Sequence, residues 1–158
     1  RIWKNTLHWG GVIRFVSVMA YQCVYRNLFY YRLGRHKSWF IKWMLPGDNT
    51  LRISTPYIGE GAHFQHNYCT YLNCRGIGRN FFCLHLVTLG KGRGGVPIIG
   101  DDVKIFTGAS VFGNIRIGNH VRISAGTVVD KDVPDNCVVA GNPAKIIKRN
   151  GIVVYEPL

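Results

Sequence analysis

The sequence predicts a mainly β protein: a triangular solenoid of short parallel strands, preceded by a helical segment. Three observations carry that expectation. Aliphatic residues keep a six-residue register from Ile58 onward. Many of them are followed by glycine, and small or β-branched residues recur four places on. Before them, residues 1–50 carry a helical spacing instead.

Ile13, Val16, Ala20, Val24, Leu28 and Tyr31 recur at spacings of three and four, which predicts one helix closed by Gly34. A second helix fits Ser38 to Leu45, with Ser38 as its cap, and Pro46-Gly47 ends it and opens a linker through Asn49. All four Trp (Trp3, Trp9, Trp39, Trp43) and eight Lys/Arg lie in this segment against one acid, Asp48. Trp and Tyr interleaved with Arg14, Arg26, Arg32, Arg35, Lys37 and Lys42 suit a lipid headgroup layer or an acidic polymer. The plainer expectation is a helical cap on the main domain and its neighbours, with Lys and Arg stems lying over apolar surface.

In residues 51–149 the inward register begins with Ile58 and Phe64, and after one extra residue continues at Ile77, Cys83 and Leu89. A Gly-rich insertion follows, then Ile99, Ile105, Val111, Ile117, Ile123 and Val129. Val103, Ala109, Ile115, Val121 and Thr127 stand four places after members of the series. Three such hexads per turn give one short strand per side, with Gly or Asn where the backbone bends. Coils then stack by parallel pairing at about 4.8 Å. An antiparallel sandwich would instead alternate with period two. Residues 150–158 form a tail.

A length of 158 residues suffices for one domain with a substantial core. With 47% apolar and 18% charged residues, disorder is excluded. The formal charge of +12 favours anionic partners: a phosphorylated cofactor, a membrane surface, an acidic glycan or nucleic acid. Nucleic acid is set aside because the basic residues follow no reader motif. Five cysteines (Cys23, Cys69, Cys74, Cys83, Cys137) form no CxxC pair, and the odd count predicts thiols in a reducing, cytoplasmic compartment. No signal-peptide layout is visible, and the apolar stretch Val12 to Met19 is broken by Arg14 and too short to span a bilayer. The chain starts on Arg1 rather than Met, so an earlier natural start is expected.

Several motifs resemble one family: Ile58-Gly59-Glu60-Gly61 leading to His66, the run Val87-Thr88-Leu89-Gly90, and Val96-Pro97-Ile98-Ile99-Gly100-Asp101. Gly108-Ala109, Ala125-Gly126-Thr127-Val128-Val129, Asp132-Val133-Pro134 and Ala140-Gly141-Asn142-Pro143-Ala144-Lys145 complete the set. Together they resemble the left-handed β-helix hexapeptide-repeat acyltransferases, in the serine acetyltransferase-like branch that includes many glycan O-acetyltransferases. The resemblance implies the left hand of the coil, which runs against the usual crossover rule. It also implies a homotrimer with active sites between subunits, and acetyl transfer from acetyl-coenzyme A to a hydroxyl.

On that resemblance His66 matches the catalytic base, a role that suits a neutral imidazole. The register adds His85: if Phe64 and Cys83 are stacked, His66 and His85 share one outward column. His85 would orient acceptor or base, or merely replace the Gln common at that site. Gly108, Ala109, Ala125 and Gly126 are implied to bind the pantetheine amides. Lys145 and Arg149, with Lys148, would meet phosphate, against the plainer reading of Lys148 and Arg149 as a solvated tail. The Gly90 loop would close the cleft and supply an oxyanion N–H. Its glycines precede no helix, so a dinucleotide fingerprint fails. His63, His8, His36 and His120 are expected to be unrelated to the site.

The match departs from serine transfer at three points. Arg52 or Ser54 stands in the region of an orienting carboxylate, Gln65 replaces an Asp before the catalytic histidine, and the shortened loop carries no His. The expected acceptor is therefore a sugar hydroxyl of a surface polysaccharide or its lipid-linked precursor, with residues 1–50 near the inner face of a membrane. Serine is the alternative acceptor. A non-catalytic trimeric scaffold, and a zinc site on His66, His85 and His63 like that of the carbonic anhydrases sharing this coil, are alternatives of other classes. The coenzyme-type C-terminal run argues against zinc, and no metal is expected.

Overall fold

A computed structural model describes residues 9–21, 23–47, 49–66 and 68–158. The expectation for His8 lies outside these residues, as do those for the side chains of Arg14, Cys23, Val24, Arg35 and His36. Two compact units divide after Leu51: Arg1–Leu51 and Arg52–Leu158.

In the first unit α1 (Trp9–Tyr21), α2 (Cys23–Leu33) and α3 (Arg35–Met44) stand where the spacing predicts two helices. Gly34 does close α2: at φ 84° its N–H donates to the Tyr30 carbonyl at 3.1 Å. The chain then restarts at once, because the Gly34 carbonyl accepts the Ser38 N–H at 3.2 Å. Ser38 is consequently buried within α3 and is not its cap. The predicted stripe also needs correction, since Ile13 and Val16 are exposed while Met19 and Tyr30 are buried. Phe15 packs edge-on against Phe29 at 5.6 Å, and the Tyr30 hydroxyl donates to the Leu45 carbonyl at 2.6 Å. Those contacts, and not spacing alone, decide which arc of each helix is covered.

The strands follow as β1 (Leu51–Ile53), β2 (His63–Phe64), β3 (Thr70–Leu72), β4 (Gly76–Ile77) and β5 (Phe82–Cys83). Next come β6 (Thr88–Gly90), β7 (Ile98–Ile99), β8 (Lys104–Ile105), β9 (Ser110–Phe112) and β10 (Arg116–Ile117). Last are β11 (Arg122–Ile123), β12 (Val128–Val129), β13 (Cys137–Ala140), β14 (Lys145–Arg149) and β15 (Ile152–Pro157). They form three walls: β1-β3-β6-β9-β12, β4-β7-β10, and β2-β5-β8-β11-β13 extended by β14 and β15. Pairing along the third wall is parallel from β2 to β13, then turns antiparallel through β14 and β15, which cover the exposed edge of the last coil.

Every member of the inward series, from Ile58 to Val129, is buried. Phe64, Cys83, Ile105, Ile123 and Val139 stack in one register, as the hexads predict. The four-places-on series is buried too, except Ile115, which is half-buried.

Polar side chains hold the corner that precedes β5, β8 and β11. Arg79 N–H donates to Asp101 Oδ1 at 2.8 Å, Asp101 N–H to Asn119 Oδ1 at 2.9 Å, and Asn119 N–H to Asp135 Oδ1 at 2.8 Å. Glycines stack beside this ladder: a Cβ on Gly100 would lie 2.8 Å from the Gly118 carbonyl carbon, so no side chain fits there.

The ladder makes stability sensitive to acid. The Arg79 backbone N–H, and then its guanidinium at 2.8 Å, hold the Asp101 carboxyl below the usual carboxylate range. A depressed folded pKa gives stability that is complete above the unfolded value of about 3.9 and lost as pH falls through the folded one. The thermal midpoint should therefore hold from neutral pH down to about 5 and fall below about 4. Asp101→Asn, which keeps the Oδ1 acceptor and does not titrate, should show a shallower acid limb in the same melting series. Superimposable limbs would assign the acid sensitivity to other groups.

Candidate active site

His66 stands at the corner between the wall that holds β2 and the wall that holds β3. It is exposed, at φ 52°, and its carbonyl accepts the Tyr68 N–H at 2.6 Å. Eight residues separate Phe64 from Leu72 here, where six separate Cys83 from Leu89 one coil later. The single extra residue expected before Ile77 is thus two at this corner, offset by one fewer on the next wall.

Phe64 does stack on Cys83, so His85 follows its inward residue as His66 does. Counted back from Leu72 and Leu89, however, His85 is level with Tyr68, whose carbonyl accepts the Leu86 N–H at 2.9 Å. The shared histidine column therefore holds on the β2 side and is staggered on the β3 side. His85 is half-buried, and its Nδ1 is buried with no hydrogen-bond partner. An unbonded lone pair costs less there than an unbonded N–H, so the proton belongs on Nε2. In that tautomer His85 donates toward the open side and does not take a proton from it.

The corner continues through Thr107 to Ala109 and through Ala125-Gly126. Gly108 and Gly126 adopt φ of 71° and 67°, and a Cβ on Gly126 would meet nothing within 4 Å, so the space outside this edge is open. Three of the N–H groups are already engaged: Gly108 to the His85 carbonyl at 3.2 Å, Ala109 to Phe106 at 3.2 Å and Gly126 to Thr107 at 2.9 Å. Those of Thr107 and Ala125 have no acceptor among the described residues. Here, in contrast to the Asp/Asn corner, backbone donors are left open beside a histidine. Sequence reasoning named Ala125 and missed Thr107. The register of Ile105 with Ile123 was the signal, because it makes Thr107 level with Ala125.

Other expected site residues divide. Lys145 is exposed and pairs with Ala140, on the wall that leads into the histidine corner, at the last coil. Arg149 is different: it pairs with Cys137 at the far end of that wall, and its Nη2 donates to Glu156 Oε2 at 2.6 Å. Its charge is already matched, so a phosphate there would compete with Glu156. Gly90 is buried in β6 opposite Phe112 and is a strand residue. The loop behind it closes as a tight hairpin, Gly92 N–H to the Gly95 carbonyl at 2.9 Å. It lies at the opposite edge of the wall from His85, roughly 20 Å away at full extension.

The comparisons come down on one side. No family model matches the chain. A serine acetyltransferase of Buchnera aphidicola subsp. Schizaphis graminum is 34% identical over 154 residues, covering 87% of this chain and 59% of that protein. The serine acetyltransferase structure of Neisseria gonorrhoeae superposes with TM-score 0.65 at 33% identity, covering 83% of this chain and 54% of that one. The chain belongs to the left-handed β-helix hexapeptide-repeat acyltransferase family. A further member, serine acetyltransferase from Brucella abortus strain S19 in complex with coenzyme A, matches with TM-score 0.54 at 36% identity, over 63% of this chain and 40% of that one. This hexapeptide-repeat chain spans about half the length of the relatives it matches.

Within this member of the family, His63 is outward on β2 and stacks on Phe82 at 5.7 Å. His120 approaches Asp102 at 3.7 Å, away from the His66 corner. Among the described residues no three His, Cys, Asp or Glu side chains converge as a metal site would need. Cys74, Cys83 and Cys137 are buried free thiols, Cys74 pushed up to about 12 by burial. Among the described residues no helix is long and apolar enough to cross a membrane.

Proposed function

We propose that this chain transfers an acetyl group from acetyl-coenzyme A to a hydroxyl, with serine as acceptor. The observation that carries the reading is one outward edge of the coil that presents exposed His66 and, two and three coils further along, the open N–H groups of Thr107 and Ala125. The similarity to serine acetyltransferases, one of them with coenzyme A, supports donor and acceptor. His66 takes the hydroxyl proton as the oxygen attacks the thioester carbon. The tetrahedral intermediate then expels the thiolate, and the imidazolium returns its proton to the sulfur. The open backbone donors hold amides of the pantetheine arm, Lys145 meets phosphate oxygens, and His85 donates from Nε2 to orient the acceptor.

A trimer is part of the proposal. His66 and the Gly92–Gly95 hairpin lie at opposite edges of one wall, so one protomer cannot bring them to one reacting atom. A neighbour packed on that wall can.

A sugar hydroxyl is the second reading, favoured by one observation: Gln65, and no acid, precedes His66. Acetyl-coenzyme A turnover with serine, nucleotide sugars and oligosaccharides, beside calorimetric coenzyme A binding, tests both. Turnover on serine supports the first reading, turnover on a sugar alone replaces it with the second, and absence of coenzyme A binding leaves a trimeric scaffold.

A further inference from the structure

We propose that the exposed face of α3 docks on an anionic lipid bilayer, lying in the headgroup layer without crossing it. Trp39, Phe40, Trp43 and Met44 are 74%, 60%, 78% and 61% exposed. At 100° per residue they occupy one arc of about 140°. Lys37 borders one edge of that arc and Lys42 the other, both exposed, while buried Ser38 and half-buried Ile41 lie on the opposite side. The helix therefore spends its inner face on its own unit and leaves its most apolar side chains uncovered.

Charge selects the occupant. Residues 1–47 contain eight Lys/Arg and no acid. A second copy of this face would set Lys37 and Lys42 against the same cations. A soluble polyanion would satisfy the lysines and leave two indoles and a phenyl ring in water. An anionic bilayer answers both at once, because its acyl boundary takes the rings while its headgroups take the flanking ammonium groups. Indole is also the side chain that prefers the level of the headgroups.

Sedimentation of the full chain with phosphatidylcholine vesicles, with and without about one-third phosphatidylglycerol, tests this. Partitioning onto the anionic vesicles should be at least about tenfold stronger than onto neutral ones and should weaken with salt. Trp39→Ala with Trp43→Ala should weaken it at least about tenfold, with an unchanged circular dichroism spectrum because both rings are exposed. Lys37→Gln should weaken it about fivefold, the worth of one cation near such a surface. Equal partitioning onto both vesicles would overturn the proposal, as would a double variant that binds like the parent or binding abolished equally by dextran sulfate whether or not the rings are present. A fall in oligomer size when the two tryptophans are removed without lipid would assign the face to contacts between copies.

Discussion

His66→Ala should lower kcat/KM for acetyl transfer by at least about a hundredfold, within the range of 10² to 10⁴ that a positioned general base contributes. The side chain is exposed and meets no partner among the described residues, so its removal leaves the coil intact. Coenzyme A affinity should therefore stay within about twofold of the parent, since the backbone donors of Thr107 and Ala125 and the Lys145 ammonium are untouched. Loss in kcat at constant coenzyme A affinity is the signature of a group that acts only as the proton moves. His85→Ala should cost less, because a residue protonated on Nε2 positions and does not accept. A His66→Ala enzyme with parental kcat would remove the base from this corner altogether.

Sequence carried the coil further than the corners. The hexads named the inward residues because each wall turns the same positions into the solenoid interior in every coil, and apolar burial at a fixed period is visible without coordinates. The corner after β2 was less legible, because its two added residues are offset by a shorter next wall and leave one extra residue in the count. Thr107 was missed for a related reason: which N–H groups remain unbonded depends on the bond each corner makes to the next coil. Arg149 matched a charge expectation, yet the antiparallel turn of β14 and β15 brings Glu156 against it. In the helices the spacing predicted one helix where α1 and α2 stand, and the rings of Phe15, Phe29 and Tyr30 chose the buried arc.

Ile123→Ala should destabilise the second unit by about 2 to 5 kcal/mol, the range for truncating a fully buried Ile. The site is poorly able to relax. Ile123 is held in register between Ile105 on β8 and Val139 on β13, and the parallel ladders on both sides fix the backbones at about 4.8 Å. Neighbouring coils cannot close on the void without breaking those ladders, so the transfer loss and the cavity add. Because each coil contacts only its neighbours, the loss also weakens the coupling between the first coils and the β13–β15 end. Urea unfolding followed by circular dichroism should show the lower midpoint, while Ile152→Ala, on the exposed edge strand β15, should stay within about 0.5 kcal/mol of the parent. A loss below about 1 kcal/mol at Ile123 would mean that the coils can approach one another, and the rigid spacing that sets His66 at a fixed distance from Thr107 and Ala125 along one edge would go with it.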